Sequence, residues 1–317
     1  MILKAQEDSR ADIAMLARLM RHRNADETCR RRIEEQIRNL RSGDRGEAEA
    51  AYEIDFHYGD SPDWVIIHDL RIEHGGYVAQ IDHLLINRVL EFWVCESKRF
   101  AGGLKINAQG EFVTFYEGRP QGRPSPIEQN NRHMKVLQAV IAAGSLNLPT
   151  RLGLTLRPSL KSLILISHGS ITRPRTPVPQ IETVIKNDQL RSTITRSLDK
   201  VGFTGLAKLI GPATLHDLGR QVLALHRPIT RRWAAQFGLT PIETSTPVVG
   251  PWPTTPTVAC RRIGAAPPPA GLPSCASCGC GVTAGIVAYC ARDDRFARQV
   301  YCIKCQATAP QPATAIA

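Results

Sequence analysis

No apolar run in this 317-residue sequence reaches the roughly 18 residues that a membrane-spanning helix needs. The opening residues carry Glu7, Asp8 and Asp12 in place of the basic-then-apolar pattern of a secretory leader. Both absences argue against a membrane protein, and the expected compartment is the cytoplasm. Cysteine is scarce over most of the chain: six of the nine lie between Cys275 and Cys305, with Cys29, Cys95 and Cys260 scattered. That distribution excludes a disulfide framework and points to metal instead. Acid is in short supply too, 29 Asp and Glu against 40 Lys and Arg, so the net charge is +11 and an anionic partner such as nucleic acid is favoured.

What is present is an ordinary globular composition, 43% hydrophobic and 22% charged, in a chain long enough for two domains. From Gln6 to Leu40 no Pro or Gly occurs, and Ile13, Leu16, Met20, Ile33, Ile37 and Leu40 recur at helical spacing. Arg30, Arg31, Arg32, Arg38 and Arg41 read either as a solvated face or as phosphate contacts. Ser42-Gly-Asp-Arg-Gly46 is expected to break this segment, with a second helix starting at Glu47. An acid in a first helical turn is explained by the helix dipole alone, and the functional alternative is a carboxylate aimed at a metal.

Trp64 to Ile72 reads as a strand, Gly75-Gly76 as a turn, and Gln80 to Lys98 as a hairpin. Pairing symmetric about Val89 sets Leu84 opposite Val94 and Asp82 opposite Glu96, with Phe92, Val94, Glu96 and Lys98 on one face. Directly opposed carboxylates repel, and a divalent cation removes that cost. Asp82 and Glu96 are therefore candidate ligands of Mg²⁺ or Mn²⁺, with Lys98 placed to orient a water or steady a phosphate. His83, on the opposite side of its strand, is expected to be buried and hydrogen-bonded, and Cys95 to lie in the core.

A small hairpin is expected over Leu104–Ile106 and Phe112–Tyr116, then a loop with Gly118, Pro120, Gly122 and Pro124. Ser125-Pro-Ile-Glu128 has the form of a capped helix start, continuing through Met134, Leu137 and Ile141 to Gly144. Leu163–Ser167 reads as a buried strand, and Asp188–Leu198 and Thr214–His226 as helices. Prolines from Arg227 to Pro273 mark a linker, part extended and part flexible.

Cys275-x-x-Cys278 and Cys302-x-x-Cys305 are two knuckles with the spacing of a tetrahedral zinc ribbon. Cys280 and Cys290 are surplus, so either is a possible substitute for one of the four. Arg292, Arg295, Arg298 and Lys304 outnumber Asp293 and Asp294 there, which suits nucleic acid or a protein partner equally.

Arg45-Gly-Glu47, Gln80-Ile-Asp-His83, Glu96-Ser-Lys98, Ile106 and Ser125-Pro-Ile-Glu-Gln129, in that order and spacing, resemble the nuclease-related domain (NERD) family of the PD-(D/E)xK, restriction-endonuclease-like superfamily. The resemblance covers about residues 42 to 145. It implies an α/β fold, a mixed sheet flanked by helices, with Asp82 and Glu96 binding metal, Lys98 contacting phosphate or water, Glu47 contributing from a helix, and Gln129 facing the same site. Ile81 stands where the superfamily has Pro, and Ser97 where Thr is usual. The Cys-x-x-Cys pair is similar to zinc modules attached to some family members. The expected organisation is a helical extension (1–41), a nuclease-like core (42–170), a helical extension of it (171–226), a Pro-rich linker (227–272), a zinc ribbon (273–307) and a disordered tail (308–317). The expected activity is Mg²⁺-dependent cleavage of nucleic acid, DNA before RNA, with structural zinc. A non-cleaving nucleic-acid-binding protein and a zinc-ribbon adaptor are the alternatives, and the N-terminal helical segment is a candidate for homo-oligomer formation.

Overall fold

Buried strands with unbroken apolar runs need cover on both faces, and Ile81–Asn87 and Glu91–Ser97 are buried along their whole length. The structure, a computed structural model, describes residues 1–100, 102–202, 205, 207–240, 273–282, 284–292, 296 and 299–306. It divides into two compact units, Met1–Ser9 with Leu40–Thr230, and Arg10–Asn39 with Arg231–Ala317.

In the first unit a six-stranded mixed sheet runs in the order β1 (Ile2–Lys4), β2 (Trp64–His74), β3 (Tyr77–Asn87), β4 (Glu91–Lys98), β10 (Ser159–Ile166), β12 (Val184–Lys186). β2, β3 and β4 form an antiparallel meander, while β1 lies parallel to β2, and β10 lies parallel to both β4 and β12. Helix α3 (Pro126–Ala142) falls in the chain between β4 and β10. Alternation divides the side chains. Val65, Ile67, Leu84, Ile86, Phe92 and Val94 pack with Val136 and Leu137 of α3 and with Leu215, Leu218 and Val222 of the helix Pro212–Ala224. Trp64, Ile66, Leu85, Trp93 and Cys95 pack on the other face with Ala50, Ile54 and Tyr58 of helix α2 (Glu27–Tyr58) and with Leu190 and Ile194 of α4 (Leu190–Leu198). Each of these large side chains contributes about 2 kcal/mol on burial. The fold class is α/β, mixed sheets flanked by helices, as the sequence led us to expect.

The hairpin register is the expected one, with Leu84 opposite Val94 and Ile86 opposite Phe92. Asn87 braces its connection, its Oδ1 accepting from the Val89 and Glu91 N–H groups at 3.2 and 2.9 Å. Gly75 and Gly76, at φ 57° and 79°, form the two-residue left-handed turn that joins β2 to β3.

A four-stranded sheet has the order β11 (Ile171–Thr172), β5 (Leu104–Ile106), β6 (Phe112–Tyr116), β7 (Arg119–Arg123); β5 to β7 are inserted between β4 and α3, and β11 joins from the chain after β10. β7 corrects the expected loop. It lies at the sheet's edge, where Pro120 needs no ladder partner for its nitrogen and Gly122 carries no packing load. A separate two-stranded hairpin joins β8 (Thr150–Arg151) to β9 (Leu154–Thr155).

The N-terminal expectation also changes in two places. The segment from Gln6 to Leu40 is not one helix: after β1 come α1 (Arg10–Leu19), a turn, and α2, whose start is capped by Asp26 Oδ1 accepting from Cys29 N–H at 2.7 Å. Nor does the chain break at Ser42–Gly46, because α2 runs through it for 32 residues. A mid-helix glycine costs about 1 kcal/mol. At Gly46 an added Cβ would stand 3.1 Å from Arg99 Cβ, so glycine there lets the helix approach the chain that leaves β4.

The second unit buries Leu16, Leu19, Ile33 and Ile37 of α1 and α2, and Trp233 Nε1 donates to Asp12 Oδ1 at 2.6 Å. Of the proline-rich stretch 227–272, residues 233–236 form a helical turn and 241–272 lie outside the described residues. So do 307–317, and with them the expected tail. Among the described residues no helix is long and apolar enough to cross a membrane.

Candidate functional site

One step beyond the last β3–β4 pair, His83 with Cys95, the strands carry Asp82 and Glu96. Both are buried, Glu96 at 1% exposure. Ser97 donates its N–H and its hydroxyl to Asp82 Oδ2, each at 2.8 Å. Lys98 Nζ pairs with Glu96 Oε1, and Gln129 Nε2 on α3 donates to the same oxygen at 2.7 Å. The structure thus brings Asp82, Glu96, Lys98 and Gln129 together.

α3 is placed for this by local chemistry. Ser125 Oγ accepts from Glu128 N–H at 3.3 Å as the N-cap, Pro126 opens the helix, and Asn130 Nδ2 donates to Val94 O and to Ser162 Oγ at 2.8 Å each. Gln129 and, one turn later, His133 then point at the end of β4. His133 Nδ1 lies 3.5 Å from Glu96 Oε2. Both atoms are buried without a hydrogen-bond partner.

Glu47 reaches the site from within α2, not from a first helical turn, so the helix-dipole explanation of its charge does not apply. Burial, and then Asp82, Asp69, Asp44 and Glu96, push its carboxyl up to about 8. Glu96 is likewise pushed up to about 8 by burial and by Asp82, against the opposing pull of Lys98. Burial raises Asp82 despite Lys98 and the two Ser97 bonds. Burial works against the Lys98 charge, but Glu96 and Asp82 outweigh it and raise its pKa.

Three features escaped the sequence reading. Asp69 sits in β2 at φ 50°, between the pairs His68–His83 and Leu70–Ile81, and therefore opposite Asp82. Its Oδ2 accepts from Glu7 N–H at 2.6 Å, and burial raises its pKa to about 6. His133 is held neutral by burial and by the charges of Lys98 and Arg132, its pKa down to about 4. The pair of hydrogen bonds from Ser97 to Asp82 is the third. A charge interrupting the apolar run Trp64–Ile72, and a histidine four residues after Gln129, were the available signals.

His83 is buried on the other face, as expected, where its Nδ1 meets His68 Nδ1 at 2.7 Å and His68 Nε2 meets Asp55 Oδ1 at 3.0 Å. Cys95 is in the core, its thiol pushed up by burial.

Around Glu96, then, the carboxylates of Glu47, Asp69, Asp82 and Glu96 raise one another's pKa in a connected series, opposed by Lys98 and, at Asp69, by Lys4. Oxygen donors of this kind suit a hard divalent cation, and the partnerless Glu96 Oε2 is an open ligand atom, so the residues present fit such an ion.

In the second unit the sulfurs of Cys275, Cys278, Cys302 and Cys305 all lie within 4.8 Å of one another, a group that could hold a metal ion. The first knuckle turns at Gly279, φ 70°, whose N–H donates to Cys275 O at 2.9 Å. Cys290 is buried and takes the Tyr301 N–H on its sulfur at 3.4 Å, outside the group of four. Cys280 Sγ is 3.4 Å from Cys278 Sγ but is also outside it. Arg295, Arg298, Asp293 and Asp294 lie outside the described residues, and the side chains of Arg292 and Lys304 do too.

An α/β sheet whose central hairpin ends in an Asp and a Glu-x-Lys, with a helix entering beside them, is consistent with a restriction-endonuclease-like fold. Residues 42–165 match the family model described as nuclease-related domain, NERD. No curated protein and no solved structure matched the chain. The four-cysteine group is compatible with a C-terminal zinc module.

Proposed function

We propose that the protein is a nuclease that hydrolyses nucleic-acid phosphodiester bonds with Mg²⁺ or Mn²⁺, acting on DNA before RNA. The observation that carries this reading is Glu96: a carboxylate at 1% exposure, joined on one oxygen to Lys98 and Gln129 and left open on the other, beside a second buried acid. Burying two acids against a single lysine costs free energy, and pKa values perturbed in this way cluster at functional sites.

Asp82 and Glu96 would hold the cation, which when bound polarises a phosphoryl oxygen and lowers the pKa of a water. Ser97 fixes Asp82 by its two bonds, leaving Oδ1 as the ligand atom. Gln129 fixes Glu96 from α3. Lys98 presents its ammonium where negative charge builds on the phosphate. Glu47 adds a carboxylate from α2, able to take a proton from an attacking water. Zinc on Cys275, Cys278, Cys302 and Cys305 would have a structural role, closing the two knuckles. The charge of +11 favours the polyanionic substrate.

The test is incubation of the full chain with single- and double-stranded DNA and with RNA in Mg²⁺ or Mn²⁺, wild type against Asp82→Asn and Lys98→Ala. Products that need the cation and vanish in both variants support the reading. Salt-sensitive binding without products, the same in all three proteins, would replace it with a non-cleaving binding protein.

A further inference from the structure

We propose that His133 is a direct ligand of the divalent cation held by Asp82 and Glu96, and that its nitrogen turns the site toward Mn²⁺ over Mg²⁺. The inference rests on the metal-dependent reading above and adds a ligand to it.

Ligand atoms are recognised by being buried, polar and unused. Glu96 Oε1 is taken by Lys98 and Gln129, and Asp82 Oδ2 by Ser97. Glu96 Oε2 and His133 Nδ1 are the pair left over, both sealed from solvent, both without a hydrogen-bond partner, and 3.5 Å apart. Their residues are 1% and 8% exposed. Two atoms each about 2.1 Å from one cation stand roughly 3.0 to 3.5 Å apart, depending on coordination geometry. The observed separation suits two neighbouring ligands and is long for a direct hydrogen bond.

The nitrogen is also carried on a rigid element. α3 is fixed by its Ser125 cap and by Asn130, which ties it to β4 and β10, so the His133 ring is delivered to Glu96 by the turn that follows the one carrying Gln129. A side chain placed this way needs little reorganisation to bind.

Selectivity follows from donor chemistry. Mg²⁺ takes oxygen ligands in strict octahedral geometry, whereas imidazole nitrogen suits transition-metal ions. A site of carboxylates with one imidazole therefore favours Mn²⁺ more strongly than carboxylates alone would. The competing role for His133 is to position Glu96 by donating to it, without touching the ion.

The experiment uses the full chain without nucleic acid. Titration calorimetry gives the affinities for Mn²⁺ and Mg²⁺, and pulsed EPR of the bound Mn²⁺ reads coupling to a ¹⁴N nucleus. Wild type is compared with His133→Ala, the conservative His133→Gln, and Asp82→Asn. We expect a ¹⁴N coupling in wild type that both His133 variants lose, and Mn²⁺ affinity about tenfold weaker in those variants, with Mg²⁺ changed much less. Mn²⁺ bound in wild type and lost in Asp82→Asn, but with no ¹⁴N coupling and an unchanged Mn²⁺-to-Mg²⁺ ratio in the His133 variants, overturns the ligand role alone. No cation binding in wild type that Asp82→Asn removes overturns the metal-dependent reading and this inference together.

Discussion

Ser97 gives two hydrogen bonds to a single oxygen of Asp82, one from its main chain and one from its hydroxyl, each at 2.8 Å. The main-chain bond survives any substitution except proline, while the hydroxyl bond is a choice of sequence. Ser97→Ala should lower both divalent-cation affinity and cleavage about tenfold, as removal of an outer hydrogen bond to a metal ligand does. Ser97→Thr, which keeps the hydroxyl, should restore both. Calorimetry with Mn²⁺ and the cleavage rate check the pair.

The raised carboxyl groups make a prediction about pH. Glu47 and Glu96 go from 4.5 in the ordinary state to about 8 when folded, so the folded protein holds protons that the unfolded chain has released. Their contribution to stability is fully present below about 4.5 and is lost as pH rises through about 8. In protein freed of Mg²⁺ and Mn²⁺, the melting temperature should fall between pH 6 and 8.5. The fall should be shallower in Glu47→Gln, and added Mn²⁺ should reverse it, since the cation binds the ionised acids. Melting curves at the two pH values, with and without Mn²⁺, test this; a slope unchanged by Glu47→Gln would contradict it.

The hairpin from Gln80 to Lys98 was legible because its alternation is strict: one register buries both Leu84 and Phe92, and a slip by one residue would reverse their faces. The start of α3 was equally plain, since Ser, Pro and Glu at fixed offsets have one common use. The helix through Gly43 and Gly46 was not, because a glycine that permits close packing looks in sequence like a glycine that ends a helix. Edge strand β7 was hidden in the same way by Pro120 and Gly122. For the site, a local motif revealed Asp82, Glu96 and Lys98, and only the family resemblance indicated Gln129. Asp69 and His133 belong to no motif. Their place depends on which helix face and which strand position meet β4, and that is a property of packing between elements distant in sequence.

Loss of the α3 cap should be measurable by itself. Ser125→Ala removes the oxygen that accepts the Glu128 N–H, at a cost of about 1 kcal/mol. Denaturant unfolding should show that loss, and Ser125→Asp should recover most of it.

The cysteine module separates ligands from core. Zinc analysis of protein purified without chelator should find one zinc per chain. Cys278→Ser should lose it, whereas Cys290→Ser, whose sulfur is occupied with Tyr301, should keep the metal and lose stability. Retention of zinc by Cys278→Ser and loss by Cys290→Ser would reverse the assignment.

The most direct test of the account is Glu96→Gln, compared with wild type for cleavage and for thermal stability. The amide has the shape of the carboxylate, but it carries no charge for a cation or for Lys98. The account predicts that product formation in saturating Mn²⁺ falls by about a hundredfold or more, while the melting temperature of the metal-free protein falls, because Lys98 loses the partner of its buried ion pair. Cleavage at the wild-type rate by Glu96→Gln would contradict the claim that this carboxylate is the centre of the site.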